Sequence, residues 1–440
     1  HVFKAPNYDE IVDAPVEMGH LTIRNFTVGD ATYALVIDRR DPKFPLQSTE
    51  DLLRRIIRHQ VGMFGGAPFT HYEVHLHEGV GWGLEHLTSQ TDAVPMRLIR
   101  DNGPGVFDSL FAHEFFHLWN VKRLRPKALG PFDYQAPCRT KHLWFSEGVT
   151  DYYADLTCRR TGLWNDRKWW ESWGGEVNRL QGTRIRFDEP ITTTSWLAFD
   201  RGYAAQIFGR GLDYYNKGKI LGLLLDLVIR EETGGARSLD DVMRALYAKY
   251  AYPKPGFDDD ALVGEMSAAA GVDLKEFFRR YVEGTSELPY ADVLAFVGVE
   301  TRGVREPNPA LAERLATAEG LEVVDGRFVF RDASVFGESE GLKDGDVLTK
   351  VEGVEAHTSE GRALGDLFAA VGGDHVYEIV VKRGVAEVPL TITLPLAGRR
   401  TFRRDAKASD DAKAAYDAWL ADPYTEKVPP GETKDTLGLE

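Results

Sequence analysis

Two histidines and a glutamate in the segment 107–120 have the types and spacing to hold and use a metal ion. His113, Glu114 and His117 form the pattern His-Glu-x-x-His in an apolar stretch that lacks proline and glycine. Such a stretch predicts a helix, and residues four positions apart share one helix face. Both imidazoles can therefore direct a nitrogen at one ion. Glu114 lies beside the open position, where it can take a proton from a bound water.

A third ligand and a supporting carboxylate follow thirty positions after His117, in the segment 143–153. If this segment is a second helix, Glu147 and Asp151 lie one turn apart on one face. Glu147 is then the third ligand, and Asp151 accepts a hydrogen bond from the far nitrogen of a ligand histidine. The simpler alternative is a carboxylate at the start of a helix, favoured by the helix dipole. With both motifs in order, we predict one Zn²⁺ per chain.

Zinc with three protein ligands and one water keeps an open position and lowers the pKa of that water from about 15.7 to about 7. Glu114 would act as the base in this chemistry. A carboxylate as third ligand, in place of a third histidine, makes the site gluzincin-type. The predicted activity is therefore that of a zinc-dependent metallopeptidase.

The runs 113–126 and 145–153 together resemble the glycyl aminopeptidase family of zinc metallopeptidases, over far more than the five-residue pattern. The resemblance implies an α+β fold with a thermolysin-like (gluzincin) catalytic domain, β-rich in its N-terminal part and helical in its C-terminal part. A small PDZ-like β module would follow it. The family's upstream β-domain is expected to be missing or truncated, since the chain opens almost directly on catalytic-domain-like sequence.

The chain is expected to contain several parts, because 440 residues exceed the size of a single core. In residues 1–100 we predict strands and turns, including strands at Ala31–Ile37 and 72–76. The expected divisions are the β-rich part of the catalytic domain at 1–100, its helical part with the zinc site at 101–300, a PDZ-like domain at 310–397 and a C-terminal extension at 398–440.

The PDZ-like prediction rests on two patterns. Residues 323–330 read as a β-hairpin with Asp325-Gly326 at its turn. The stretch 335–353, with Gly341-Leu-x-x-Gly-Asp346, resembles the bacterial PDZ pattern. Such domains bind C-terminal peptides by strand addition, although a purely structural or docking role is equally compatible with the sequence.

Two further residues are implied by likeness to aminopeptidase N relatives. Glu85, in Gly81-Trp-Gly-Leu-Glu-His86, takes the place of a glutamate that pairs with the substrate's amino group, although Leu84 replaces Met and His86 replaces Asn. A surface glutamate in a glycine-rich loop is the alternative.

Tyr215, in Tyr-x-Lys-Gly218, takes the place of a catalytic tyrosine, with Tyr214 as the fallback. A phenol donor directed at the developing oxyanion would stabilise the transition state. The alternative is that both tyrosines only pack at the start of a helix.

Four other histidines are possible ligands: His71, His75, His77 and His142. His75 and His77 are spaced i, i+2 on one predicted strand, a spacing that can support a site. We predict structural roles for all four, because the helical pair and Glu147 already complete a three-ligand set.

Composition restricts the partners and the location. The net charge of -15 argues against nucleic acid or an anionic membrane as the main partner. The longest mid-chain apolar run, 220–229, is too short for a bilayer span of about 20 residues. Cys138 and Cys158 either pair or stay as two thiols. The first residue is His1, so the N-terminus is expected to be processed or truncated. With the resemblance, this favours a periplasmic or exported location over a cytoplasmic one.

The sequence favours an aminopeptidase that removes small N-terminal residues, glycine and alanine being implied by the resemblance. Its substrates would be peptides with a free N-terminus. Two alternatives are a zinc endopeptidase of broader specificity, in which Glu85 has no role, and a PDZ-based peptide-binding protein with an inactive zinc site. An intact Glu114 argues against the last, because a structural zinc site has no need of a base.

Overall fold

The structure is a computed structural model that describes residues 3–38, 41–202, 211–304, 321–331, 341–356, 376–393 and 399–433. Its contacts divide the chain into two compact units. The first unit comprises His1–Trp170, Phe187–Glu300 and Arg403–Glu440. The second comprises Glu171–Arg186 and Thr301–Phe402.

The first unit contains a five-stranded mixed sheet in the order β1-β2-β3-β5-β4. Its strands are β1 Thr22–Val28, β2 Ala31–Ile37, β3 His71–Glu78, β4 Trp82–Glu85 and β5 Ser89–Val94. The middle pairs β2–β3 and β3–β5 are parallel, and the outer pairs are antiparallel. Both strands predicted from the sequence are confirmed as β2 and β3. The short β4 forms one edge of the sheet.

The described residues also form α-helices. Their bounds are α1 Tyr8–Asp13, α2 Leu46–Phe64, α3 Met96–Asn102, α4 Asp108–Phe116, α5 Val149–Arg160, α6 Asp166–Gln181, α7 Ile191–Arg201, α8 Tyr214–Glu232, α9 Leu239–Tyr250, α10 Leu262–Ala270, α11 Lys275–Phe277, α12 Tyr290–Ala295 and α13 Asp410–Leu420. The mixture of helix and sheet agrees with the predicted α+β class.

The expectation of strands and turns throughout residues 1–100 is wrong for the segments that form α1, α2 and most of α3. In α2 the buried apolar residues recur at helical spacing, including Leu53, Ile56, Ile57 and Val61. That periodicity is present in the sequence. The α2 helix packs its buried face against α4, the predicted metal-binding helix.

The apolar run 220–229 lies inside α8, a largely buried helix of the first unit. Among the described residues, no helix is long and apolar enough to cross a membrane.

Residues 403–433 belong to the first unit, within the predicted C-terminal extension. Residues 416–420 form the end of α13, where Trp419 is fully buried. Trp419 donates its indole N–H to the Tyr152 hydroxyl at 3.1 Å, and its carbonyl accepts from Arg160 at 3.0 Å. Beyond α13, Asp422 is 2.8 Å from the His59 ring. The C-terminal segment is therefore part of the packing around α5.

The second unit contains an antiparallel sheet in the order β12-β11-β9-β8-β7, with β10 paired to β9. Its strands are β7 Leu321–Val324, β8 Arg327–Phe330, β9 Val347–Val351, β10 Val354–Glu355, β11 Val376–Arg383 and β12 Ala386–Thr393. A separate two-stranded sheet joins β6 Val299–Val304 to β13 Arg399–Arg404.

The predicted hairpin is confirmed by the pairing of Val324 with Arg327. Asp325 and Gly326 both have positive φ, 49° and 72°, which two-residue hairpin turns of this kind require.

Candidate functional site

Helix α4 positions the first two predicted metal ligands. His113 lies in its last turn, and His117 is the residue that caps its C-terminus. The side chains of both are almost completely buried, at 9% and 1% exposure. Their Nε2 atoms lie 2.8 Å apart. One turn of helix has therefore brought the two imidazoles together, as their spacing predicts.

The contacts of the two Nδ1 atoms indicate which nitrogen of each ring carries the proton. Nδ1 of His117 lies 2.7 Å from the Asn120 carbonyl oxygen, which can only accept, so this Nδ1 carries the proton. Nδ1 of His113 lies 2.7 Å from the Asp151 carboxylate and donates to it. Neutral rings held this way direct two Nε2 lone pairs at each other. Two lone pairs at that separation repel each other unless they share a cation, which is either a proton or a metal ion. The donor set therefore fits a metal.

Glu147 completes the group on a single turn of π-helix, Trp144–Gly148, that runs into α5. Its Oε2 lies 3.2 Å from Nε2 of His117 and 3.5 Å from Nε2 of His113. Burial raises the pKa of Glu147, but the two imidazoles outweigh that effect, and its pKa falls well below the usual range. The carboxylate is thus held in the charged form that a metal needs. Single π-helical turns are common at functional sites.

Two glycines bring the start of α8 against the turn that carries Glu147. A Cβ on Gly148 would lie 2.4 Å from the Gly218 Cα, and a Cβ on Gly218 would lie 2.4 Å from the Trp144 carbonyl oxygen. Any larger side chain would force the two segments apart. This close contact places the ring of Tyr215 6.2 Å from that of His113. Tyr214 stacks on Tyr215 at 5.0 Å and is buried.

Edge strand β4 passes directly over Glu114. A Cβ on Gly83 would lie 2.2 Å from Glu114 Oε1, so only glycine permits this approach. Burial raises the pKa of Glu114 to about 8, and the charges of Glu85 and Asp92 raise it while those of His113 and His117 lower it. A carboxyl group that titrates near neutral pH suits proton transfer in both directions.

Glu85 lies at the end of β4, close to Glu114 and His117. One oxygen or nitrogen each of Glu85, Glu114 and His117 lie within 4.8 Å of one another. His113, His117 and Glu147 form a second such group, also within 4.8 Å. The structure thus brings together every residue that the sequence singled out: the three candidate ligands, Glu114, Glu85, Asp151 and Tyr215.

The additional histidines lie elsewhere. His142 is buried and its Nε2 is 2.7 Å from the Asp259 carbonyl oxygen, and His71 is hydrogen-bonded to Thr32 at 2.8 Å. His75 and His77 form a cluster of their own with Glu17. The two cysteines are free, Cys158 buried and Cys138 half-buried.

Sequence reasoning missed three contributors to the site. Asn120 holds His117 through its carbonyl, while its amide donates to the Phe145 carbonyl oxygen at 2.9 Å and ties the two metal-binding segments together. Gly83 and Gly148 permit close approaches that only coordinates reveal. Gly83 lies beside Leu84 and Glu85 in the sequence, and Gly148 follows Glu147. This proximity to predicted site residues is the one sequence feature that indicates a role for either glycine.

A known protein family matches the part of the chain that carries the candidate site. Residues 106–221 match the family model of the M61 glycyl aminopeptidases. This match covers only part of the chain, and it supports a relation to the M61 glycyl aminopeptidases and a peptidase activity. The matched residues contain both predicted metal-ligand motifs and Tyr215.

One solved structure supports the fold. An aminopeptidase N family protein from Idiomarina loihiensis is 22% identical with a TM-score of 0.69, over 92% of this chain and 71% of that one. A mutant of an M1 zinc metallopeptidase from Deinococcus radiodurans is 17% identical with a TM-score of 0.40, over 61% of this chain. The match covers 52% of that second protein, about half its length. Among curated protein sequences, none matches the chain significantly.

Proposed function

We propose that this chain, which is related to the M61 peptidases, is a zinc-dependent aminopeptidase. It would hydrolyse the first peptide bond of peptides with a free N-terminus. The observation that carries this proposal is the pair of Nε2 lone pairs, 2.8 Å apart, with the Glu147 carboxylate beside them. His113, His117 and Glu147 would hold one zinc ion. Zinc bound there would supply a Lewis acid that lowers the pKa of water and polarises the scissile carbonyl.

Glu114 is proposed to carry the proton. It accepts a proton from the attacking water as the oxygen adds to the carbonyl carbon. It then gives that proton to the leaving nitrogen as the C–N bond breaks, so the carboxylate is regenerated. One oxygen of Glu114 is buried and makes no hydrogen bond to the described residues, which leaves it available for this task.

Glu85 is proposed to bind the substrate's terminal ammonium. Its carboxylate lies in the same group as Glu114 and His117, so an amine paired with it would place the first carbonyl beside the base. Charge-assisted hydrogen bonds of this kind are strong in partly buried sites. A fixed ammonium site would allow cleavage only after the first residue. We also propose that this first residue is preferably glycine or alanine, which the resemblance to glycyl aminopeptidases supports.

Tyr215 is proposed to donate its hydroxyl hydrogen to the oxygen that becomes negative in the transition state. Its ring lies 6.2 Å from that of His113. The close contact between Gly148 and Gly218 brings the start of α8, which carries Tyr215, to this position. A donor that acts only as charge develops accelerates the reaction without tightening substrate binding.

Residues 310–397, which lie within the second unit, are proposed to form a PDZ-like domain. Asp346, in the quoted glycine-rich motif, is buried and accepts two hydrogen bonds from Arg383, at 2.7 and 2.5 Å. Its carboxylate therefore stabilises the sheet. Residues 335–340 of the motif lie outside the described residues. Binding of C-terminal peptides and an exported location stay predictions of the sequence.

The test is release of free glycine from Gly-Ala-type peptides, compared with their N-acetylated forms, with and without chelator. The zinc aminopeptidase should release glycine from the free peptides only, and chelator should abolish it. Glu85→Gln should raise KM for free peptides about tenfold or more, since it loses a charge-assisted bond, whereas the surface change Glu426→Gln should not. Equal cleavage of acetylated peptides would instead establish an endopeptidase.

A further inference from the structure

One face of strand β3 carries three polar side chains in succession: Glu73, His75 and His77. Alternate residues of a strand point to the same side, so these three share one face while Tyr72, Val74 and Leu76 are buried on the other. His75 is also buried, and the His77 side chain is 29% exposed. His75 and His77 thus offer two imidazole ligands on one face of a strand, as His113 and His117 do on one face of a helix.

We propose that Glu17, His75 and His77 form a second binding site for a divalent transition-metal ion, separate from the catalytic group. One ligand atom of each of these residues lies within 4.8 Å of the others. Glu17 comes from the segment between α1 and β1, so the site would join this segment to the sheet.

The Glu17 carboxylate lies between the two imidazoles. One oxygen is 2.7 Å from His75 Nδ1, and the other is 2.8 Å from His77 Nε2. Its side chain is only 12% exposed. Three donors therefore converge from two segments that lie far apart in the sequence, and they are largely shielded from solvent.

An outer carboxylate lies near each histidine. The remaining nitrogen of His75, Nε2, lies 3.0 Å from Glu73 Oε2. The remaining nitrogen of His77, Nδ1, lies 3.7 Å from Asp38 Oδ2. A histidine that binds a metal through one nitrogen usually gives its other N–H to a carboxylate, which fixes the ring and strengthens the ligand. The His75 ring follows that pattern, whereas Asp38 lies beyond hydrogen-bonding distance of the His77 ring.

The donor set favours zinc or a related ion over calcium or magnesium. Two imidazole nitrogens and one carboxylate suit zinc in tetrahedral geometry, with water as the fourth ligand. Calcium and magnesium prefer oxygen ligands only. Three carboxylates surround the two histidines, so a bound divalent cation also offsets local negative charge.

A proton is the competitor for this position. Burial lowers the pKa of His75, but hydrogen bonds to Glu17 and Glu73 outweigh it and raise the pKa to about 9. In the absence of metal, an imidazolium between two carboxylates satisfies the same geometry. The experiment therefore has to count metal ions directly.

The measurement is zinc per chain in the full-length protein, after loading with Zn²⁺ and removal of free metal. Wild type should hold two equivalents, His77→Ala one and Glu147→Gln one. His77→Ala should retain peptidase activity within about twofold, since His77 is separate from the reacting groups. Glu17→Gln should weaken the second equivalent about tenfold or more, whereas Glu426→Gln, whose side chain is 92% exposed, should leave both.

Equal zinc content in wild type, His77→Ala and Glu17→Gln would overturn the proposal in favour of the protonated pair. If His77→Ala fails to fold, Glu17→Gln decides by itself, because glutamine preserves the shape of the buried side chain. The result is independent of the proposed function. Two zinc equivalents without peptidase activity would support this site and count against the aminopeptidase, whereas activity with a single equivalent held by Glu147 would do the reverse.

Discussion

Two clusters of histidine and carboxylate occupy the first unit, one carried by helix α4 and one by strand β3. In the helical cluster, His113 and His117 are four positions apart and their Nε2 atoms face each other at 2.8 Å. In the strand cluster, His75 and His77 are two positions apart, and each faces the Glu17 carboxylate. Either spacing puts both rings on one face of its element.

The residue after each histidine separates the two clusters in function. In a helix the next residue is rotated by only about 100°, so Glu114 still reaches the open side of the group. In a strand the next residue points to the opposite face, and Glu78, which follows His77, is exposed. The proposed base therefore belongs to the helical cluster, whereas the carboxylate that follows His77 points away from the strand cluster. This difference in backbone suits the helical cluster to the proposed catalysis and the strand cluster to a structural role.

The distances within each cluster also differ. Bonds of about 2.0–2.1 Å in a tetrahedral site put ligand atoms about 3.3 Å apart. Glu147 meets this spacing, at 3.2 and 3.5 Å from the two histidines. Glu17 lies at 2.7 and 2.8 Å, the distances of hydrogen bonds. The two Nε2 atoms of the helical cluster, 2.8 Å apart, must also separate by about 0.5 Å to admit the ion. The strand cluster must open at both of its Glu17 contacts, so we expect tighter zinc binding at the helical cluster.

The largest expected effect comes from the base. Glu114→Gln should lower kcat for Gly-Ala-type peptides by about 10²–10⁴-fold at unchanged zinc content, because proton transfer is lost. The matched change Glu78→Gln should leave kcat within about twofold, although it alters the residue in the equivalent sequence position. Steady-state kinetics beside metal analysis measures both. A similar loss in the two variants would remove the distinction between the clusters.

A smaller loss is expected at the tyrosine beside the helical cluster. Tyr215→Phe should lower kcat by about 10²–10³-fold with little change in KM, as expected for a donor that acts only in the transition state. Tyr214→Phe, a change of the stacked neighbour, is the control and should keep most of the activity. The opposite ranking of the two variants would assign the catalytic role to Tyr214.

The smallest expected effect concerns Asp13, the last residue of α1, which precedes the segment that carries Glu17. Asp13 accepts a hydrogen bond at 2.7 Å from the backbone N–H of Leu87, two residues beyond Glu85. Burial raises the pKa of Asp13, but hydrogen bonds from His86, Lys122 and Leu87 outweigh it and lower the pKa to about 2. The charged carboxylate therefore stabilises the folded state.

This stabilisation should be complete above pH 3.8, the ordinary pKa of aspartate, and should be lost as the pH falls through about 2. Asp13→Asn should lower the free energy of unfolding by about 1–2 kcal/mol at pH 7, allowing for solvent screening. The difference from wild type should narrow below pH 4. Urea unfolding across this range measures it, with the exposed Asp410→Asn as control. A difference that is independent of pH would show that Asp13 acts by packing and not by charge.

Several elements and the metal-binding candidates were predictable because local patterns encode them. Alternating and continuous apolar residues indicated β2 and β3, and Asp325-Gly326 indicated the hairpin. Spacing alone indicated His113, Glu114 and His117, and the second motif indicated Glu147 and Asp151. In each case the information lies within one or two turns or strands. The α2 helix was missed despite a local signal, since its periodicity was present in residues 46–64.

The sequence by itself thus determined which residue types can do the chemistry and the faces on which they lie. Only the tertiary structure decided how the elements approach one another. It placed Gly83 against Glu114, Gly218 against Gly148 and Glu17 between two histidines. These contacts depend on packing between segments far apart in the chain, where a difference of about 1 Å separates a bond from a clash. Periodicity carries no information about such distances.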